Sequence, residues 1–280
     1  DRGGDWSSDV CSSDLNHTDM FAQAYFAYDS KKSGGVTISH LRFGKKAIKS
    51  TYLISSANYV ACGNQAYVTK YDVLKGIKDG GTFLLNCIWS PEELEQHLPA
   101  TMKNYIANHN INFNTLDAVG IAGKIGLGGR VNMIMQAAFF QLADIIPVED
   151  AVKYLKAAVI TSYGKKGEKV INMNNAAIDE GVKSVVKINV PASWKTVKDA
   201  VVAQDARPDF VKNIADVMNR QEGDSLPVSA FVGIEDGTLM PGTAAFEKRG
   251  IAVNVPEWQI DNCIQCNQCA FVCPHAVIRP

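Results

Sequence analysis

Four cysteines near the C-terminal end of the 280-residue chain, Cys263, Cys266, Cys269 and Cys273, stand at CxxCxxCxxxC spacing with Pro274 directly after the last. Thiolates are soft ligands. Three of them within seven residues can wrap one corner of an iron–sulfur cube, while a fourth carried past the turn points away toward a second cluster. A tetrahedral zinc site is the competing reading, but it prefers two separated CxxC or Cys/His pairs, and the sequence has no second pair. The run therefore predicts [4Fe–4S] ligation, with Cys263, Cys266 and Cys269 on one cluster and Cys273 on its neighbour. Only six residues follow Pro274, too few for the returning cysteines that a two-cluster module needs, so the chain is expected to be a fragment.

The other three cysteines are isolated. Cys62 and Cys87 are expected to be small, buried, apolar residues, and Cys11 receives no role. Thiols used as cluster ligands, with no plausible disulfide framework, point to a reducing cytoplasm.

The elements that must position these residues are bounded by length and composition. A chain of 280 residues can bury one or two full cores, and 46% hydrophobic content suits a globular protein. A net charge of −1 and a pI near 6.6 supply no basic footprint, so neither nucleic acid nor an anionic membrane surface is expected as a partner. The longest apolar runs, such as TFLLNCIW from Thr82 to Trp89, fall far below the roughly 18 residues that suggest a membrane span. Residues 1–15, DRGGDWSSDVCSSDL, repeat Ser-Ser-Asp without helix or strand periodicity and read as a non-native or disordered segment.

From Thr18 to Ser30, apolar residues three and four apart predict an amphipathic helix, with Phe21, Tyr25 and Tyr28 in the core. Val36–Gly44 alternates as a strand, and Thr51–Ile54 and Tyr59–Cys62 read as further sheet. Helical periodicity over Tyr67–Lys78 is expected to break at Gly80–Gly81, after which TFLLNCI reads as a strand covered on both faces. Ser90, Pro91 and Glu93 spell a capped helix start. Ile111–Ala118 supplies one more strand, and helices are expected over Val131–Ala143, Glu149–Tyr163, Ala176–Val186 and near Phe210–Asn219. A short strand in GIAVNVPEW leads to the cysteine run. Alternating strands and helices predict an open α/β sheet with packed helices.

Three stretches could face a ligand. Lys31 and Lys32 beside Gly34 and Gly35 could present ammonium and backbone N–H groups to phosphate, though such lysines are commonly just solvated. The glycines of GLGGRVNM precede a helix whose first turn holds Asn132, where backbone capping competes with ligand binding. In NMNNAAID, Asn174 or Asn175 is expected at a helix N-cap. Neither GxGxxG nor GxxxxGK[ST] occurs, and His40, His97 and His109 form no recognisable metal site or triad.

Taken together, YDSKKSGGVTISHLRFG, GIKDGGTFLLN, GLGGRVNMIMQAAFF, YGKKGEKVINMNNAAID, LPVSAF, FEKRGIAVNVPEW and CIQCNQCAFVCPHA, in that order, closely resemble the pyruvate:ferredoxin (flavodoxin) oxidoreductase family over residues 18–280. The resemblance implies a homodimeric enzyme that converts pyruvate and coenzyme A to acetyl-CoA and carbon dioxide. It implies thiamine diphosphate, Mg and three [4Fe–4S] clusters as cofactors, with ferredoxin or flavodoxin as electron acceptor. It assigns Lys31, Asn132 and Asn174 to coenzyme A. The thiamine-binding domains would lie outside this chain, which is expected to be inactive alone. On this reading residues 16–199 form an α/β coenzyme A-binding domain, 200–240 a small connector domain, and 241–280 the truncated start of a two-[4Fe–4S] ferredoxin-like domain. The alternative is a stand-alone coenzyme A-binding and electron-transfer subunit of a split 2-oxoacid oxidoreductase.

Overall fold

The computed structural model describes residues 18–29, 35–49, 53–198, 205–247 and 255–279. It separates into two compact units, Asp1–Arg249 and Gly250–Pro280. The 1–15 segment and Lys31 lie outside the described residues.

The larger unit opens with an antiparallel pair, β1 (Phe21–Tyr28) and β2 (Thr37–Gly44), in register from Phe21 opposite Gly44 to Tyr28 opposite Thr37. The helix expected over Thr18–Ser30 is thus a strand. Aromatic side chains suit a pleated surface, and β2 supplies the ladder that satisfies the backbone of β1, so tertiary pairing overrides the helical spacing. The aromatic residues expected in the core are instead exposed: Phe21 by 47%, Tyr25 by 48% and Tyr28 by 71%.

A four-stranded sheet follows, ordered β3 (Ala57–Cys62), β4 (Ile77–Asn86), β5 (Asn112–Leu116), β6 (Val186–Lys187). The first three are parallel and β6 is antiparallel at the edge. No helix spans Tyr67–Lys78. A 3-10 turn, Gln65–Thr69, is capped by the Asn64 side chain, and β4 starts at Ile77 and runs through both glycines. Gly80 takes a positive φ of 71° and donates its N–H to His109 O. A Cβ on Gly81 would stand 2.8 Å from both Ile77 Cγ1 and Lys78 O. The pair bends a strand where the sequence suggested a helix end. Leu53 and Ile54 belong to no strand, and neither does the described part of GIAVNVPEW.

The alternation of β4 creates two cores. Phe83, Leu84 and Leu85 are fully buried. Leu84 joins Leu116 on one face, beneath α3 (Ala118–Ile125), α4 (Asn132–Ala143), α5 (Val148–Tyr163) and α6 (Glu168–Lys183). Phe83 and Leu85 turn to the other face with Phe113, Trp194, Cys62 and Cys87, covered by α1 (Pro91–His97) and α2 (Ala100–Asn108). The strand is covered on both faces, as a near-continuous apolar run requires. α1 begins with the expected capping box: Ser90 Oγ accepts from Glu93 N, and Glu93 Oε2 accepts from Ser90 N.

Every residue of α4 from Met133 to Phe140 is buried, which marks it as a helix enclosed by others. α6 begins at Glu168, eight residues before the expected start, because Val170, Ile171 and Asn174 already continue the buried stripe of Ala177, Ile178 and Gly181. Farther on, a π-helical turn, Val211–Ala215, runs into α7 (Asp216–Asn219). The smaller unit carries α8 (Gln268–Val272). Among the described residues no helix is long and apolar enough to cross a membrane.

Candidate functional site

The first candidate region runs from the carboxyl ends of the parallel strands, the usual ligand edge of an open α/β sheet, along α3 to the GLGGR loop. Asn86, 5% exposed at the end of β4, ties this edge together. Its Nδ2 donates to Gly63 O at 3.0 Å and its Oδ1 accepts from Ala118 N at 3.0 Å. Asp117 caps α3 by accepting from Gly120 N at 2.8 Å. At the other end of α3, Gly126 has φ of 91° and its N–H returns to Ala122 O and Gly123 O, while Leu127 N donates to Ala122 O. This left-handed C-cap admits glycine readily and turns the chain into the GLGGR loop.

That loop meets the Asn-rich stretch, since a Cβ on Gly126 would be 3.5 Å from Met173 Cε. Asn132 is the first residue of α4, half-buried, after Val131, which offers no side-chain cap. Asn174 is buried inside α6, and its Nδ2 donates to Val170 O at 2.8 Å. The expected N-cap role of Asn174 or Asn175 is therefore overturned, since the helix starts six residues before Asn174. The two helices that carry Asn132 and Asn174 pack directly on one another: a Cβ on Gly181 would lie 2.5 Å from Ile134 O and 2.9 Å from Ala137 Cβ. One polar atom was not anticipated. Asn175 Oδ1 is buried without a hydrogen-bond partner among the described residues, and an unmet acceptor of this kind is costly in a core. The cap-like composition around Asn174 and Asn175 suggests a helix start there, whereas α6 begins at Glu168.

The second candidate site is the cysteine run in the smaller unit. Cys263 and Cys273 are half-buried, and Cys266 and Cys269 are exposed. Gln265 and Asn267 both take left-handed backbone conformations, with φ of 56° and 57°, and so curl the chain tightly between the first three cysteines. Two of the thiols are shifted toward the thiolate by their surroundings. The backbone N–H of Gln265 and, next, the side chain of Trp258 hold the Cys263 thiol below its usual range. Backbone N–H groups of Ile278, Val277 and His275 do the same for Cys273. Donors aimed at sulfur favour thiolate, the form that binds metal. Among the described residues no three Cys, His, Asp or Glu side chains converge into a group able to hold a metal ion, so the four cysteines are near in sequence without being drawn to one point.

Cys62 and Cys87 behave oppositely. Both are 4% exposed, and burial pushes their thiols up to about 12 and about 11. These are packing residues, as their isolation in sequence suggested. The histidines too have structural partners: His97 stacks on Trp89, His109 pairs with Asp79 at 2.7 Å, and His40 Nδ1 accepts from Ile54 N.

Residues 6–184 match the family profile described as pyruvate ferredoxin/flavodoxin oxidoreductase. The chain belongs to this family. Downstream of the oxidoreductase region, residues 196–252 match a domain of unknown function and residues 255–278 match a 4Fe-4S binding domain. Among family members, the chain is 63% identical over 263 residues to the pyruvate-flavodoxin oxidoreductase of Enterobacter agglomerans, and 60% identical over 264 residues to that of Klebsiella pneumoniae. It is 54% identical over 266 residues to the pyruvate:ferredoxin oxidoreductase of Moorella thermoacetica. These similarities cover 94% or 95% of this chain but 22% of each relative, so the chain spans about a fifth of the oxidoreductases it matches. The resemblance read from the ordered motifs is borne out, and both candidate sites lie within the similar region.

Proposed function

We propose that this chain is one section of an enzyme that oxidatively decarboxylates pyruvate with coenzyme A, giving acetyl-CoA and carbon dioxide. This section contributes coenzyme A contacts and iron–sulfur electron transfer. The observation that carries the reading is a CxxCxxCxxxC run within a stretch that matches a 4Fe-4S binding domain, in the same chain as the oxidoreductase family's α/β unit.

Residue type and spacing, rather than convergence in the described structure, support the groups assigned to these residues. Cys263, Cys266 and Cys269 would hold one [4Fe–4S] cluster and Cys273 would serve its neighbour, which accepts its remaining ligands from chain outside these residues. Bound clusters supply one-electron carriage toward a ferredoxin or flavodoxin acceptor. The protein's own contribution is to keep the thiolates charged and to direct N–H groups at them.

On the α/β unit, Asn132 offers an amide donor and acceptor at a helix start, and Asn174, with Asn175 beside it, lines the adjoining helix. Lys31 would neutralise a nucleotide phosphate as a point charge. Thiamine diphosphate and Mg would be held by the rest of the enzyme, which is assigned to a cytoplasmic homodimer. The domain assignment runs 16–199 for coenzyme A binding, 200–240 for the connector and 241–280 for the start of the cluster domain.

The test is anaerobic purification of the full-length natural protein, followed by iron and acid-labile sulfide analysis, EPR after reduction, and assay of coenzyme A-dependent reduction of ferredoxin by pyruvate. The expected result is [4Fe–4S] signals together with a rate that requires both pyruvate and coenzyme A. Zinc in place of iron, or reduction indifferent to coenzyme A, would overturn the proposal.

A further inference from the structure

A tyrosine side chain fastens the end of the β1–β2 hairpin to the carboxyl edge of the larger sheet. β3 ends at Cys62, and Asn64 then turns the chain: its Oδ1 accepts from Ala66 N at 3.0 Å and its carbonyl accepts from Tyr67 N at 3.1 Å. The 3-10 turn that follows sets the half-buried Tyr67 ring edge-on to Tyr71, with centroids 5.3 Å apart. From there the Tyr67 hydroxyl donates to Gly35 O at 3.1 Å, across 32 residues of sequence. Burial, and after it the neighbouring Tyr71, Cys62 and Asp29, hold the phenol above its ordinary value, so it keeps its proton and donates throughout the neutral range.

Gly35 stands at the base of the hairpin's connection. Asp29 N donates to Val36 O at 3.1 Å, just beyond the last ladder pair, Tyr28 opposite Thr37. The base is narrow, since a Cβ on Gly35 would lie 2.8 Å from Asp29 Cβ. Asp29 Oδ2 also accepts from Gln221 Nε2 at 3.5 Å, so the base is held from a second side. In sequence, Lys31 follows Asp29 by two residues and precedes Gly35 by four. A two-stranded hairpin holds itself weakly in water, and a binding group on a loosely held segment loses conformational freedom when its ligand arrives. Fixing the base beforehand reduces that loss.

We propose that Tyr67 is a positioning residue for the coenzyme A contact assigned to Lys31, its hydroxyl fixing the base of the hairpin through Gly35 O. The inference rests on the coenzyme A reading above. Tyr67 touches no ligand in this role. It raises affinity by preorganisation, so its loss weakens coenzyme A binding without altering pyruvate binding or the clusters.

The experiment is calorimetric titration of coenzyme A into the full-length enzyme without pyruvate, for the natural protein, Tyr67→Phe, Lys31→Ala and the double variant. Phe keeps the ring against Tyr71 and removes the O–H. Its Kd is expected to rise about fivefold, the weight of one hydrogen bond of ordinary net strength, with iron content, KM for pyruvate and kcat at saturating coenzyme A held within about twofold. On the Lys31→Ala background the same substitution is expected to change Kd by less than about twofold, because the group it positions is gone; a general loosening of the fold would carry the full penalty into both backgrounds. An unmoved Kd in Tyr67→Phe, or an equal rise with and without Lys31, would overturn the role of Tyr67. A natural enzyme that does not bind coenzyme A, or a Lys31→Ala variant that binds it as tightly, would instead overturn the reading beneath it. If the Phe variant does not fold, Gly35→Ala decides. Its Cβ cannot share the narrow base with Asp29 Cβ, so it is expected to raise Kd by a similar factor, again only where Lys31 is present, and an unmoved Kd refutes the inference.

Discussion

Replacing Asn86 with Ala would remove the clasp at the carboxyl edge of the sheet. The side chain is 5% exposed and makes two hydrogen bonds of 3.0 Å, one to Gly63 O beyond β3 and one from Ala118 N at the start of α3. Its loss leaves a carbonyl and an N–H without this partner, and a buried unsatisfied group costs about 1–3 kcal/mol. Gly63 is exposed, so water can satisfy its carbonyl, and the summed destabilisation is expected in the lower half of the range for two groups, about 2–4 kcal/mol, a sizeable share of the roughly 5–15 kcal/mol that holds a domain folded. Urea unfolding followed by far-UV circular dichroism would read this as a lower midpoint with an unchanged slope. Asn86→Leu is the companion variant. It restores volume but neither bond, so it is expected to fall with Ala. A Leu variant as stable as the natural chain, or an Ala loss under about 1 kcal/mol, would refute the clasp argument.

Gly181→Leu is expected to destabilise the larger unit by about 1–3 kcal/mol or more, since even a Cβ at that position meets Ile134 O at 2.5 Å; thermal unfolding checks it. In the full-length enzyme, Lys31→Ala and Asn132→Ala are each expected to raise the KM for coenzyme A by about tenfold, the weight of one hydrogen bond or ion contact, with the KM for pyruvate unchanged; steady-state kinetics in both substrates decides. Thiol alkylation of the metal-free chain, read by mass spectrometry of peptides, is expected to modify Cys263 and Cys273 well before Cys62 and Cys87. Lowered thiol values place thiolate at lower pH, whereas Cys62 and Cys87, raised to about 12 and about 11 from an ordinary 9.0, stay protonated through pH 8. The same shifts make the fold less stable as pH rises above 9, because the unfolded thiols lose their protons before the folded ones do.

The parts of this molecule that could be read in sequence are those governed by local chemistry. Ser90, Pro91 and Glu93 cap α1 because the atoms involved lie within four residues. Phe83–Leu85 reads as a two-sided strand because burial on both faces demands an unbroken apolar run. What failed was decided by distant partners. Phe21, Tyr25 and Tyr28 have helical spacing, yet their β2 partners, Gly44, His40 and Thr37, lie 23, 15 and 9 residues farther along the chain. Gly80–Gly81 looked like a stop and proved to be a bend, because Ile77, Asn58 and His109 surround the site. Asn174 and Asn175 read as cap positions because short polar side chains favour helix starts, while the buried stripe that extends α6 back to Glu168 is set by packing on α4.

The chain uses one residue type for two opposed purposes, and environment assigns them. Cys62 ends β3 and Cys87 directly follows β4, both in the core covered by α1 and α2, where desolvation penalises the thiolate and leaves sulfur as a compact apolar filler. Cys263 and Cys273 sit on a unit with little buried apolar surface, where Ile264, Phe271 and Val277 are more than three-quarters exposed and solvent does not penalise charge. There, short turns deliver N–H groups to sulfur, which favours the thiolate instead. Spacing identifies which cysteines can share a cluster; burial and hydrogen bonding determine which are chemically fit to do so. The same spacing set in the surroundings of Cys62 and Cys87 would keep the thiols protonated, so at the proposed site the backbone donors around Cys263 and Cys273 matter as much as the cysteines do.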